Sequence, residues 1–329
     1  MDFELSPEGL IASHDYEQAM NRLVLPALDA VRQDQTLTAR DGTPLFCSVF
    51  RAEKPRGTVL LLHGFTENTF KYSELIYSLL LQNYHVVAYD QRGHGRSGRS
   101  GNLSGPSVTH VDHFSDYVSD LRLVCETILS DLIGPRMIFA HSMGGAVASL
   151  YLEQYPETFA SAALCAPMIA PNTGSASAPI ALALCGTACL LGFGKHHPFF
   201  MKPYSGPEDF DTSCATDPVR FAWYDAVKAS HPEYQNSVPT YRWVVESIRV
   251  TSRILRAGGP EGISCPVLLS TADRDFSVMP EPQKSFITRV PKGKHLFVRD
   301  ARHEIFRSVN EVFFPWWRQI LAFFGEVSA

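Results

Sequence analysis

The chain has 329 residues, 45% of them hydrophobic, which is enough to bury a large core as one domain or as one domain carrying an insertion. A net charge of −5 supplies no basic field for holding nucleic acid. The seven cysteines are scattered, odd in number and without a paired metal spacing, so they read as reduced thiols of a cytoplasmic protein.

The N-terminal stretch MDFELSPEGLIASHDYEQ has no positive region leading into an apolar core, so no secretory signal is expected and the cytoplasm is the expected location. Asp41-Gly42, between TLTAR and PLFCSVF, predicts a hairpin, because Asp-Gly supplies the positive φ of a tight turn. TVLLLHGF (Thr58 to Phe65) reads as a buried strand, and Leu75, Ile76, Leu79 and Leu80 as the helix after it. HVVAYD (His85 to Asp90) is the next strand and ends in the glycine-punctuated turn QRGHGRS. Val118, Leu121, Cys125 and Ile128 recur at helical spacing on one face. RMIFAHS is a strand that breaks directly into a helix through Met143-Gly144-Gly145, and SAALCAP (Ser161 to Pro167) is another strand.

Strand grammar then stops until CPVLLSTAD (Cys265 to Asp273) and HLFVRD (His295 to Asp300). The stretch between reads as helices and loops lying over the C-terminal strand edge, where open α/β sheets place their ligands. Within it, SAPIALALCGTACLLGFG (Ser177 to Gly194) is uncharged and almost as long as a bilayer span, which takes about 20 residues. A spanning helix between two strands of one sheet would tear that sheet apart, so a buried or surface-seeking helix is expected. FFPWWRQILAFF is apolar on all sides and is expected to pack on the sheet, with Pro315 near its first turn. The alternation as a whole predicts an α/β protein with a mostly parallel central sheet flanked by helices.

IFAHSMGGA (Ile138 to Ala146) is nearly the nucleophile-elbow pattern G-x-S-x-G around Ser142, with Gly144 in place and Ala140 where the first glycine belongs. A serine hydroxyl needs a base to take its proton, and the base needs an orienting carboxylate. STADRDFSV follows the next-to-last strand and offers Asp273 and Asp275; RDARHEIF follows the last strand and offers His303. Acid then histidine, each at a strand end, is the order this pattern requires. The oxyanion hole needs two backbone N–H groups, expected from Met143 and Phe65, with Gly64 letting the chain turn.

From Thr36 to Phe323 the chain resembles the α/β-hydrolase superfamily, and within it the monoglyceride lipase and bacterial lysophospholipase branch. LLHGFTEN looks like that branch's oxyanion loop, YDQRGHGRSG like its next turn, HSMGG like its elbow, STADRD like its acid loop and RHEIF like its histidine loop. PTYRWVVES (Pro239 to Ser247) resembles the end of the lysophospholipase cap. The resemblance implies a core of residues 1–168 and 261–329 with a helical cap, 169–260, inserted after strand 6. It implies Ser142, His303 and Asp273 as triad, with Asp275 the alternative acid, and it calls for neither cofactor nor metal.

Other residues invite a role. The resemblance implies a structural His63, tying down the oxyanion loop, and His141, beside the nucleophile, reads as pointing away from the site into packing or hydrogen bonds. His110, Asp112 and His113 look metal-like but read as a solvated loop leading into a helix. Lys195, His196, His197 and Lys202 flank the apolar segment 177–194, which either packs on the core, lines an acyl tunnel or meets a membrane or micelle surface. The resemblance, with the apolar segment, implies hydrolysis of a single-chain lipid ester, a lysophospholipid or a monoacylglycerol, through an acyl-enzyme. A short-chain esterase or thioesterase is the alternative within catalysis, and a non-catalytic binding protein the alternative outside it.

Overall fold

The computed structural model describes residues 3–99, 103 and 105–328. Its strands are β1 Arg32–Thr38, β2 Pro44–Phe50, β3 Gly57–Leu62, β4 Tyr84–Tyr89, the short β5 Val108–Thr109, β6 Arg136–His141, β7 Ser161–Cys165, the short β8 Val238–Pro239, β9 Val267–Ala272 and β10 Gly293–Val298. The α-helices are α1 Tyr16–Ala19, α2 Leu25–Val31, α3 Ser73–Leu81, α4 Ser115–Thr127, α5 Met143–Gln154, α6 Ala178–Leu190, α7 Pro218–Ser230, α8 Tyr241–Ile254, α9 Pro280–Arg289 and α10 Asn310–Ser328.

Eight strands form one sheet in the order β1-β2-β4-β3-β6-β7-β9-β10. β2 runs antiparallel to both β1 and β4, and every later pairing is parallel. The Asp41-Gly42 hairpin forms as expected, with Gly42 at φ 85°. The central strands are buried along almost their whole length and largely apolar, because both faces are covered. Side chains alternate across the sheet: Val59 and Leu61 of β3, with Met137 and Phe139 of β6, join the core under α3 and α10. Leu60, Leu62, Ile138 and Ala140 join the core under α4 and α5.

α10 packs on the sheet through Phe313, Trp316, Trp317 and Ile320, all buried. The Trp316 indole donates to Ser270 Oγ and that of Trp317 to Ser78 Oγ, each at 2.8 Å, so neither buried N–H is left unpaired. Pro315 does not open this helix. It stands inside it, because α10 begins at Asn310.

Three helices, α6 to α8, occupy the chain between β7 and β9. α8 starts on a Thr240 cap whose hydroxyl accepts the Trp243 amide at 3.2 Å, and α6 packs on α8. The short β5–β8 pair joins this segment to the turn after β4. α7 is fixed by the fully buried Arg220. Its guanidinium donates to Glu74 of α3, to Asp217, to Asn310 at the start of α10, and to Ser13 and the Ile11 carbonyl near the N-terminus.

Candidate active site

β6 runs into α5 through Ser142, which sits at φ 51°, ψ −117°. A non-glycine residue held there costs about 1–3 kcal/mol and persists only where its surroundings over-determine it. Its amide donates to the Cys165 carbonyl at 3.1 Å, and its carbonyl accepts the Met168 amide at 2.8 Å and the Ala146 amide at 3.1 Å. The glycines of the motif answer to sterics. A Cβ on Gly144 would stand 2.6 Å from the His63 carbonyl oxygen, and one on Gly145 would stand 2.5 Å from Pro167 Cβ. Ala140 meets no such limit: it lies within β6, paired between Leu62 and Leu164, and its methyl fills the core.

His303 Nε2 is 2.8 Å from Ser142 Oγ, and His303 Nδ1 is 2.7 Å from Asp275 Oδ2. Here the expectation for the acid is corrected, because Asp273 is not brought to the histidine. Asp273 is the first residue past β9, is exposed, and its carboxylate accepts the Ala301 amide at 3.2 Å. Two residues on, the chain turns back, and Asp275 Oδ1 accepts the Ser277 and Val278 amides at 2.8 and 3.1 Å. That turn fixes the carboxyl and aims its other oxygen at His303.

Burial pushes the Asp275 carboxyl up, but the facing imidazole and the two amides outweigh it and hold the group below its ordinary range. Burial likewise pushes His303 down, yet the Asp275 carboxylate more than offsets this and lifts the imidazole above 6.5. The chain Asp275–His303–Ser142 is therefore a carboxylate, a base and a hydroxyl in hydrogen-bond contact.

Met143 is the first residue of α5, so its N–H has no acceptor within the helix. The Phe65 amide has no acceptor among the described residues either. Its loop closes on the elbow: a Cβ on Gly64 would stand 3.0 Å from Ser142 Cβ. The Phe65 ring is held against Trp243 of α8, with ring centroids 4.1 Å apart. His63 anchors the same loop. Its Nε2 accepts the Gln91 amide at 2.8 Å, so the proton sits on Nδ1 and is donated to the Gly64 carbonyl at 2.7 Å. His141 is buried behind the site, one nitrogen 3.0 Å from Glu67 Oε2 and the other 3.2 Å from the His303 carbonyl oxygen. His110 lies 2.9 Å from Thr240 Oγ1 and 3.1 Å from Asp112, so it joins the α8 cap to the core.

Sequence reasoning missed Glu67 and the ionic row it begins. Glu67 Oε2 accepts the Gly64 amide at 2.6 Å and the Tyr72 hydroxyl at 2.5 Å. Its other oxygen meets Lys71 at 3.1 Å; Lys71 reaches Glu304 at 2.5 Å, and Glu304 reaches Arg307 at 2.6 Å. Burial opposes the charge on Glu67, but Lys71 and His141 hold its carboxyl well below the usual range. The available signal was a lone carboxylate three residues past Gly64, placed to cap the loop that carries Phe65.

A mostly parallel sheet crossed in this order, a strained elbow serine and a histidine–carboxylate pair from two later strand ends define a serine hydrolase of the α/β-hydrolase fold. The chain belongs to the family described as "Serine aminopeptidase, S33", whose model matches residues 53–310. Among named relatives, lysophospholipase L2 of Escherichia coli K12 is 30% identical over 291 residues, covering 83% of this chain and 82% of that one. Human monoglyceride lipase is 32% identical over 143 residues, 43% of this chain and 45% of that one. Among solved structures, a thermostable carboxyl esterase from Bacillus coagulans superposes with TM-score 0.73 at 18% identity, over 91% of this chain and 99% of that one. A monoglyceride lipase from Saccharomyces cerevisiae does so with TM-score 0.72 at 21% identity, over 91% and 96%.

Proposed function

We propose that this chain hydrolyses the carboxylic ester of a single-chain lipid, a lysophospholipid or a monoacylglycerol, through an acyl-enzyme. In this reading Ser142 Oγ attacks the ester carbonyl while His303 Nε2 takes its proton, and Asp275 stabilises the imidazolium that forms. The backbone N–H groups of Phe65 and Met143 receive the negative oxygen of the tetrahedral intermediate. His303 then gives its proton to the departing alcohol, and a water deprotonated by the same imidazole releases the fatty acid. Residues 169–260 act as a cap over this centre.

The observation that carries the lipid half of the reading is the apolar surface of that cap. Of α6 only Cys185 is buried, and on the helix and the loop after it Leu190 is 89% and Phe199 88% exposed. Leu184, Leu191 and Phe200 are exposed as well. Large apolar groups left in water in one stretch mark a surface that meets something apolar. The names of the relatives above support the same class of substrate. Among the described residues no helix is long and apolar enough to cross a membrane, so the contact inferred is with a lipid or micelle surface.

The test is fatty acid released from lysophosphatidylcholine, lysophosphatidylethanolamine, monoolein and a short p-nitrophenyl ester, by the wild type and by Ser142→Ala. Long-chain lipids should turn over best and the variant should be inactive on all four. Turnover of the short ester alone would reduce the reading to a general esterase, and an active variant would remove Ser142 as nucleophile.

A further inference from the structure

Phe65 and His303 have to meet one tetrahedral carbon, and they reach it from distant parts of the chain. The Phe65 N–H lies just past β3 and His303 just past β10, with β6, β7 and β9 between those strands in the sheet. No ladder of strand hydrogen bonds therefore sets one loop against the other. Misplacing a reacting group by about 1 Å can cost about 10²-fold in rate, so something else has to hold the two in register.

The ionic row that begins at Glu67 bridges the gap. Gly64 is held on both sides: its amide donates to Glu67 and its carbonyl accepts from His63. In the trans peptide between Gly64 and Phe65 the carbonyl and the N–H point opposite ways, so these ties set the direction of the Phe65 N–H. Lys71 then donates to Glu67 on one side and to Glu304 on the other, the second bond spanning 233 residues of sequence. Glu304 is the residue after His303, and its own amide donates to the Cys214 carbonyl at 3.0 Å. The His141 ring makes a second bridge, 3.0 Å from Glu67 and 3.2 Å from the His303 carbonyl oxygen.

The side chains of Glu67, Lys71, Glu304 and Arg307 are each at most 10% exposed, and they carry two charges of each sign. Anion and cation alternate along the row, so it is balanced as it stands and calls for no ligand. Burying four charges gains little net stability over apolar residues of the same volume, and the best-attested return is a fixed register. We propose that Glu67 and Lys71 are positioning residues: with Glu304 they clasp the oxyanion loop to the base loop, so that the Phe65 N–H and His303 Nε2 converge on the carbonyl that Ser142 attacks. The inference rests on the triad and oxyanion assignments above, and it holds whichever ester is the substrate. Neither side chain has to touch the substrate; each acts through the loop it holds.

The experiment takes Glu67→Gln, Lys71→Met and the double variant, and measures kcat and KM on a short p-nitrophenyl ester beside Tm. Each single variant unbalances the buried row by one charge, so its Tm should fall. The double variant removes one charge of each sign and leaves Glu304 paired with Arg307, so its Tm should recover toward that of the wild type. Activity should not recover with it. In all three variants kcat should drop by about tenfold to 10²-fold, with KM changed by about twofold or less. One broken link opens the clasp, so the losses should not multiply in the double variant. A row that only stabilises the fold would return kcat along with Tm in the double variant, and that result would overturn the proposal. Wild-type kcat in a folded single variant would overturn it as well. Should the single variants fail to fold, the balanced double variant decides alone. An active Ser142→Ala would take down the triad and this inference together, whereas a clasp that fails while Ser142→Ala is inactive leaves the triad standing.

Discussion

The 2.7 Å contact between His303 and Asp275 fixes how the reaction should respond to pH. Only a neutral imidazole can accept the Ser142 proton, so kcat/KM should fall on acidification, with its midpoint above 6.5 because the carboxylate favours the charged ring. Asp275→Asn should lower kcat by about 10⁴, as the equivalent change does in another serine triad, and should move that midpoint down. Asp273→Asn should leave both nearly unchanged, and pH–rate profiles of the two variants decide the matter. The serine and histidine were legible in the sequence because each sits in a motif at a strand end. The acid was not, because STADRD offers two aspartates and the choice depends on where the chain turns after Ala272. Ala140 was legible as harmless: the positive φ falls on Ser142 and the tight contacts fall on Gly144 and Gly145.

At the scale of elements, the inner strands β3, β4, β6, β7 and β9 were legible as short, largely apolar runs between turn signals, since parallel strands covered on both faces bury nearly every residue, while the mostly exposed edge strand β10 was legible only from its second half. The start of α10 was not. Asn310 to Phe314 carries no stop signal, so the proline drew the boundary too late. One element holds a charge problem with a measurable consequence. The Glu153 side chain of α5 is buried, neither carboxylate oxygen has a hydrogen-bond partner among the described residues, and the Arg256 guanidinium stands 3.6 Å away. Burial pushes the group up to about 7 against the pull of Arg256 and Arg289. An unfolded glutamate ionises near 4.3. The stability this proton contributes is therefore full below about pH 4 and is lost as pH rises through 7. Glu153→Gln keeps the neutral form at every pH, so it should raise Tm by about 2 °C at pH 8, for about 1 kcal/mol, and change it little at pH 4. Thermal melts at the two pH values test this, and equal shifts at both would contradict it.

Across the whole molecule, the exposed apolar groups of residues 184–200 lie beside Lys195, His196 and Lys202, all exposed, and the proposed contact of that face with lipid predicts a preference for an anionic surface. Leu190→Ser/Phe199→Ser should reduce flotation with anionic vesicles about tenfold or more, since each buried large apolar side chain contributes about 1.5–3 kcal/mol. A wild type that fails to float would remove the membrane contact. The Arg220 socket bears on a different stage of the protein's life. Its partners come from Ile11, Ser13, Glu74, Asp217 and Asn310, so a growing chain cannot complete the seat of α7 until Asn310, at the start of α10, has left the ribosome. Until then a buried guanidinium would lack part of its shell, so α7 and the segment around it, the proposed cap, have reason to settle after the sheet.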